Sequence, residues 1–306
     1  GEIIPHNAYL RYDDQVQFLR DLAATSSIAS TFSIGNSYEG REITGLSIND
    51  GNGALPAIYI DAGIHAREWI AQSSLLYIID KILTDADADA VYLRNNFRWY
   101  FIPNLNPDGY EHTWTDDRLW RKTRSDNAGS LCVGTDANRN WDSNWGGEGA
   151  SDNPCDDTYH GPSPFSEAET QASRDFLISI RPFTNLMISI HSYSQLWLMP
   201  WGGQRVHPVD YDELFRVGSL AADALFDVNG KRFQVGTPPD LLYVASGGSF
   251  DWAKESNDIK YAYSPELRPA TQIEGGFDIP PSNIIPSGEE VFAAFVVTAR
   301  EVTHKL

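Results

Sequence analysis

Basic side chains are in short supply: 23 Lys and Arg stand against 42 Asp and Glu, for a formal charge of -19. A surface of that sign repels polyanions, which excludes nucleic acid and anionic membranes as partners and leaves the acidity to serve solubility. Long apolar runs are missing as well. No stretch approaches a membrane span, and no signal-like segment stands at the start. The chain opens at Gly1 without Met, as a processed product would. With neither an internal repeat nor a low-complexity linker, residues 1–306 are expected to fold as one domain, and their apolar and aromatic content suits a sizeable core. Cysteine is nearly absent. The two present, Cys132 and Cys155, flank a loop rich in Gly, Ser, Asn and Asp with little core of its own, and a disulfide is expected there. Closing such a loop is worth about 3 kcal/mol in the chain-entropy model and implies an oxidising, secreted setting. Two unpaired thiols in a cytosolic protein are the alternative.

What is present centres on AIYIDAGIHAREW, from Ala57 to Trp69. The apolar run Ala57 to Ala62 reads as a buried strand, Gly63 breaks it, and His65 and Glu68 follow before an amphipathic segment opens at Trp69. Strand ends in open α/β sheets are where ligands bind, so this H-x-x-E has the right address for a metal. With seven histidines the pair can arise by accident, and a third ligand is required. The apolar strand Asn185 to Ile190 ends directly in His191, which supplies one. Two histidines and a carboxylate are a ligand set of catalytic zinc sites, although His191 taken alone reads equally well as a satisfied core histidine.

The remaining pattern predicts a helix from Tyr12 to Ala24 behind an Asp13 or Asp14 cap, and strands Ser30 to Ile34 and Glu42 to Ile48 around a turn. A helix from Trp69 to about Leu83, a strand from Phe97 to Pro103 and a turn at Asn106, Pro107, Asp108 and Gly109 come next. From Leu105 to Phe165 periodicity largely disappears, which in a compact domain marks a functional or disulfide-stapled segment. Further helices are expected from Ser166, with a Ser166/Glu169 capping box, to about Ile180, from Tyr211 to Asn229, and from Ser287 to the end. Leu241 to Gly248 reads as a loop and Ile259 to Leu267 as a strand. This alternation predicts an α/β fold: a mixed, mostly parallel twisted sheet with helices on both faces.

H-A-R-E-W, R-L-W-R-K-T-R (Arg118 to Arg124), D-A-N-R-N-W (Asp136 to Trp141), H-S-Y-S-Q-L from His191, A-S-G-G-S from Ala245 and P-E-L-R (Pro265 to Arg268) occur in this order. Together they resemble the zinc metallocarboxypeptidases of the pancreatic A and B type, over nearly the whole chain. The resemblance implies one zinc ion per chain on His65, Glu68 and His191, with Asp136 orienting His65. Glu266 matches the catalytic carboxylate: a zinc-bound water needs a base to take its proton and pass it to the leaving amine. Arg121 matches the residue that polarises the scissile carbonyl. Asn138, Arg139 and Tyr243 match the group that grips the substrate's terminal carboxylate, where a guanidinium offers two parallel donors, and Arg67 assists along the entry path.

Phe250 stands at the family's pocket-floor position, where an acid would select Lys or Arg; Leu198, Gly202, Ala245 and Ser264 are expected as walls. An aromatic floor leaves a buried cation unpaired, so apolar C-terminal residues are expected, with acidic ones disfavoured. Phe250 is bulkier than the usual aliphatic residue and Pro238 replaces an aliphatic wall, favouring Leu, Ile and Val over large aromatics. Pro265 removes a donor from an interior strand and requires a break in the ladder, and Arg268-Pro269 is expected to be cis. The implied partners are peptide and protein C-termini, an inhibitory propeptide and protein inhibitors, with the chain itself a monomer. Three alternatives stay open. A non-catalytic module binding C-termini would predict loss of Glu266 or a ligand, a small-substrate zinc amidohydrolase would not need Asn138, Arg139 and Tyr243 together, and a basic-residue-specific enzyme would recruit an acid from elsewhere.

Overall fold

The computed structural model describes residues 6–302, so Gly1 and the end of the predicted final helix lie outside the described residues. The first helix, α1 (Tyr12–Ala24), buries Val16, Leu19 and Leu22 as its period requires. The expected aspartate cap is not formed. Arg11 occupies the cap position, so Asp13 and Asp14 fall inside the first turn, where they meet the positive end of the helix, and Glu111 accepts the Tyr12 N–H instead.

The hairpin β1 (Ala29–Asn36) and β2 (Glu42–Ile48) leads to β3 (Ala57–Ala62), buried throughout, and to α2 (Trp69–Thr84). A helix that the hydrophobic period did not announce, α3 (Ala88–Asn96), buries only Ala90 and Leu93 and is capped by Asp87. After β4 (Arg98–Ile102) the predicted turn proves to be the first turn of α4 (Pro107–Thr115). Asn106 caps it by accepting the Gly109 N–H, and Pro107 sits where its missing N–H costs nothing. Turn formers and helix starters are the same residues, hence the misreading.

Next come α5 (Ala168–Ile180), β5 (Thr184–Ser192), β6 (Leu196–Leu198), α6 (Tyr211–Asn229) and β7 (Gln234–Gly236). The chain then forms α7 (Pro238–Leu241), α8 (Ser249–Glu255), β8 (Tyr261–Leu267) and α9 (Ile284–Glu301). The Ser166/Glu169 capping box is absent. The helix begins after Glu167, whose N–H goes to Asn140 Oδ1, while Glu169 reaches across to the Tyr38 N–H. α9 starts at Ile284 rather than Ser287, with Pro286 in a first turn that needs no backbone donor.

The eight strands form one mixed sheet in the order β1-β2-β4-β3-β5-β8-β6-β7. β4, β3, β5 and β8 run parallel at its centre, and antiparallel pairs join β1, β2 and β6 to it. Alternation along each strand feeds two cores. Ile58 and Ile60 pack with residues of α1, α2, α6 and α9 on one face, whereas Tyr59 and Met187 pack with those of α5 and α8 on the other. Among the described residues no helix is long and apolar enough to cross a membrane.

Three further expectations hold. Cys132 and Cys155 are bonded. The β5–β8 pairing lapses between Ile188/Tyr263 and His191/Glu266, where Pro265 has no N–H to give. The Arg268-Pro269 bond is cis, as are Ser192-Tyr193 and Pro200-Trp201.

Candidate metal centre and substrate cleft

β3, β5 and β8 are neighbours, and their carboxyl ends deliver the chemistry. Beyond β3, Gly63 adopts a φ of 80°, and a Cβ there would meet Asn104 Oδ1 at 2.9 Å; the turn carries His65 over the sheet edge to Glu68, the residue that opens α2. His191 lies at the end of β5 and pairs in register with Glu266 of β8.

His65 Nδ1 lies 2.8 Å from Glu68 Oε2 and His191 Nδ1 lies 2.9 Å from Glu68 Oε1, so both imidazoles aim one nitrogen at the same carboxylate. All three side chains are buried, and their ligand atoms lie within 4.8 Å of one another. Among the described residues no other group of His, Cys, Asp and Glu converges in this way. Burial raises the Glu68 pKa, but the charges of His65 and then His191 outweigh it and hold the carboxylate well below its usual range. Burial lowers His191 while Glu68 lifts it further, to about 9. Two nitrogens and one carboxylate oxygen in a dry site, with an acid already in place behind one imidazole, fit zinc.

That acid is Asp136. Its Oδ1 lies 2.8 Å from His65 Nε2 and accepts the Asn138 N–H at 2.9 Å, while Oδ2 accepts Arg121 Nη2 at 2.7 Å and Nε at 3.1 Å. Burial opposes its charge, yet Arg121 and His65 hold its pKa well below the carboxylate range. One buried carboxylate therefore aligns an imidazole and a guanidinium together.

A cleft of about 320 Å³ opens over this group. His65, Arg67, Glu68, Arg121, Asn138, Arg139, His191, Leu198, Tyr243, Ala245, Phe250, Ser264 and Glu266, all singled out in the sequence, line this one cleft. Burial pushes Glu266 up to about 8, with His191 pulling it down and Glu68 pushing it further up. Arg139 is buried, anchored by Nε on the Gly149 carbonyl at 2.8 Å. Asn138 spends its Oδ1 on the Ser249 N–H at 3.0 Å, which leaves its amide nitrogen as a donor. Tyr243 is 57% exposed, in the loop after α7. That loop is pressed close: Gly247 has a φ of 75°, and a Cβ there would stand 2.3 Å from the Arg139 carbonyl.

Gly202 packs against residues of the cleft wall: a Cβ there would stand 3.1 Å from Phe250 Cε1 and 3.4 Å from Pro238 Cγ, and its carbonyl accepts the Ala245 N–H at 2.8 Å. A side chain there would press on the Phe250 ring, so the glycine leaves that ring its place.

The cleft also has members that sequence reasoning missed. Tyr193, Ser194, Leu242 and Phe277 line it; Pro238, which the sequence already put at a wall position, lines it too. Arg67 stacks on Phe277 at 4.3 Å, and Phe277 meets Tyr193 edge-on at 4.8 Å. Leu242, beside Tyr243, was within reach of inspection; Phe277 belongs to an irregular segment with no pattern to mark it. Behind the floor, Asp251 is buried and accepts the Gly202 and Gly203 N–H groups, with burial raising it to about 6 against those bonds.

A family model described as zinc carboxypeptidase matches residues 15–294. The chain is 44% identical over 299 residues to carboxypeptidase B of Astacus astacus, covering 96% of this chain and 97% of that protein. It is 43% identical over 288 residues to carboxypeptidase A2 of Mus musculus, covering 93% of this chain and 68% of that one. Among solved structures, bovine thrombin-activatable fibrinolysis inhibitor in complex with a tick carboxypeptidase inhibitor superposes with a TM-score of 0.89 at 34% identity, over 96% of this chain and 97% of that one.

Proposed function

The chain belongs to the zinc carboxypeptidase family, and from that premise we propose that this metallocarboxypeptidase releases apolar residues, aliphatic before aromatic, from the C-termini of peptides and proteins. The observation that carries the reading is one cleft holding a buried His65–Glu68–His191 set, Glu266 and three arginines above a Phe250 floor.

His65, Glu68 and His191 would hold zinc, which would supply Lewis acidity to a carbonyl and to a water. Glu266 takes a proton from the attacking water and hands it to the leaving amine. Arg121, clamped by Asp136, presents donors to the carbonyl oxygen as charge builds on it and needs no reorganisation to do so. Arg139 and Asn138 grip the terminal carboxylate, Tyr243 closes over it from its exposed loop, and Arg67 binds along the entry. The last side chain enters between Leu198, Pro238, Ala245 and Ser264 and stops on Phe250. Secretion belongs to the same reading, supported by the Cys132–Cys155 bond. So do protein inhibitors as partners, since the cleft mouth is open.

A preference for basic residues is the second reading, since Asp251 puts a carboxylate close behind the floor. Both its oxygens are already taken by backbone N–H groups, and the Phe250 ring stands in front.

Amino-acid release from peptides that differ only in a last Leu, Phe, Lys or Glu, with an amidated control and with or without chelator, tests the reading. Release of Leu ahead of Phe, abolished by amide or chelator, is expected. Release mainly of Lys would overturn the pocket assignment, and no release at all would overturn the activity.

A further inference from the structure

Asp61 is fully buried on β3, and no step proposed above uses it. Both of its oxygens are taken by hydroxyls: Ser189 Oγ donates to Oδ1 at 2.6 Å and Tyr59 Oη to Oδ2 at 3.0 Å. Asp61 and Ser189 are register partners on β3 and β5. Residues two apart on a strand share a face, so Ser189 stands on the same face as His191, one pleat before it. On the other side of β5, Ser264 Oγ of β8 donates to the Ser189 carbonyl at 3.0 Å. This bond falls in the gap that Pro265 leaves in the β5–β8 ladder. A belt of side-chain bonds, Asp61 to Ser189 and Ser264 to Ser189, thus crosses three adjacent strands just before they deliver His65, His191 and Glu266.

A crosslink alone does not call for a carboxylate. An asparagine would accept from Ser189 and donate its NH2 to the Tyr59 oxygen, whose proton can turn to Ser173 at 2.9 Å, without the cost of burying a charge. No lysine or arginine pairs with Asp61 among the described residues; its partners are the Ser189 and Tyr59 hydroxyls. A divalent cation on His65, Glu68 and His191 retains net positive charge after Glu68, and a further buried anion on the same sheet face offsets it.

We propose that Asp61 is a positioning residue of the metal centre: with Ser189 it holds the His191 strand end at the spacing a bound cation needs, and its charge favours that cation. The inference rests on the metal reading of the site.

The test measures zinc dissociation constants by competition with a chromogenic chelator for the unmodified protein, Asp61→Asn and Ser189→Ala. The visible spectrum of each Co(II)-loaded protein and the melting midpoint of each metal-free protein are recorded alongside. Asp61→Asn keeps the shape and removes the charge. It is expected to weaken zinc binding about 10- to 100-fold, the range found for groups behind metal ligands, with a metal-free midpoint no lower than that of the unmodified protein. Ser189→Ala is expected to weaken zinc binding and shift the Co(II) bands. Unchanged zinc constants and Co(II) spectra in both variants would overturn the proposal, as would a lowered metal-free midpoint with zinc affinity intact, the mark of a merely structural crosslink. Should Asp61→Asn fail to fold, Ser189→Ala decides on the same criteria. If the unmodified protein takes up no zinc, the metal reading itself fails, and that is visible before any variant is compared.

Discussion

At the scale of single residues, the arrangement separates groups that hold the metal from the group that moves protons. Glu68 is held ionised between two imidazoles, whereas desolvation pushes Glu266, half-buried on β8, up to about 8. Two carboxylates pushed apart in this way suit two roles. Glu266→Gln is expected to retain zinc, measured by metal analysis, while kcat falls by at least about 100-fold, the lower end of what a general base contributes. Phe250 sets the floor. Phe250→Asp should invert the ratio of kcat/KM for Leu and Lys termini by at least about tenfold in favour of Lys, because it supplies the missing partner for a buried cation. Most of these residues were legible because each sits in a short motif of distinctive chemistry. What Gly202 does is less legible, because only the packed structure shows that a Cβ at this position would press on the Phe250 ring at 3.1 Å.

At the scale of elements, periodicity served where an element buries a whole face. β3, β5, α1 and α6 show such a pattern, and α6 is closed by Gly230 at a φ of 74°. Elements that bury little, such as α3, or are three residues long, such as β6 and β7, carry too few apolar positions to reveal a period. α4 belongs to a third kind: it buries Tyr110 and Thr113, but its start is set by one polar side chain and reads in sequence as a turn. Asn106 accepts the Gly109 N–H and donates to the Lys122 carbonyl at 3.0 Å, tying the helix start to the segment that carries Arg121. Asn106→Ala removes a cap worth about 1 kcal/mol; the Lys122 carbonyl keeps the Trp120 indole N–H at 2.7 Å, but the buried Ile64 carbonyl loses its 3.3 Å bond from the same amide, worth a further 1–3 kcal/mol or so. Urea denaturation is expected to find the variant less stable by roughly 2 kcal/mol or more.

At the scale of the whole molecule, the fold gathers acids that are far apart in sequence. Glu169 of α5 is buried near Glu167 and Asp108 and accepts the Tyr38 N–H from the β1–β2 turn; burial, then Glu167 and Asp108, push it up to about 8. An isolated glutamate ionises near 4.5. Between that pH and about 8 the folded protein keeps a proton that the unfolded chain has released, so this group's contribution to stability is full below the lower value and is lost as pH rises through the upper one. Glu169→Gln stays neutral throughout. Its melting midpoint is expected to exceed that of the unmodified protein by several degrees at pH 8.5 and to match it near pH 4.5, as calorimetry across the range would show.

The sequence by itself determined the parts list: the strands that bury both faces, the H-x-x-E turn, the distant His191, the motif carboxylate Glu266, the pairing of its two cysteines and the acidic surface. These follow from local pattern and residue chemistry, which need no knowledge of what lies across the sheet. Only the tertiary structure decided how the parts meet. It set Asp136 between His65 and Arg121, packed Gly202 against Phe250, brought Phe277 against Arg67, and joined Asp61 to Ser189 beneath the metal site. Such contacts depend on strand order and register, and β3, β5 and β8 become neighbours only when the sheet assembles.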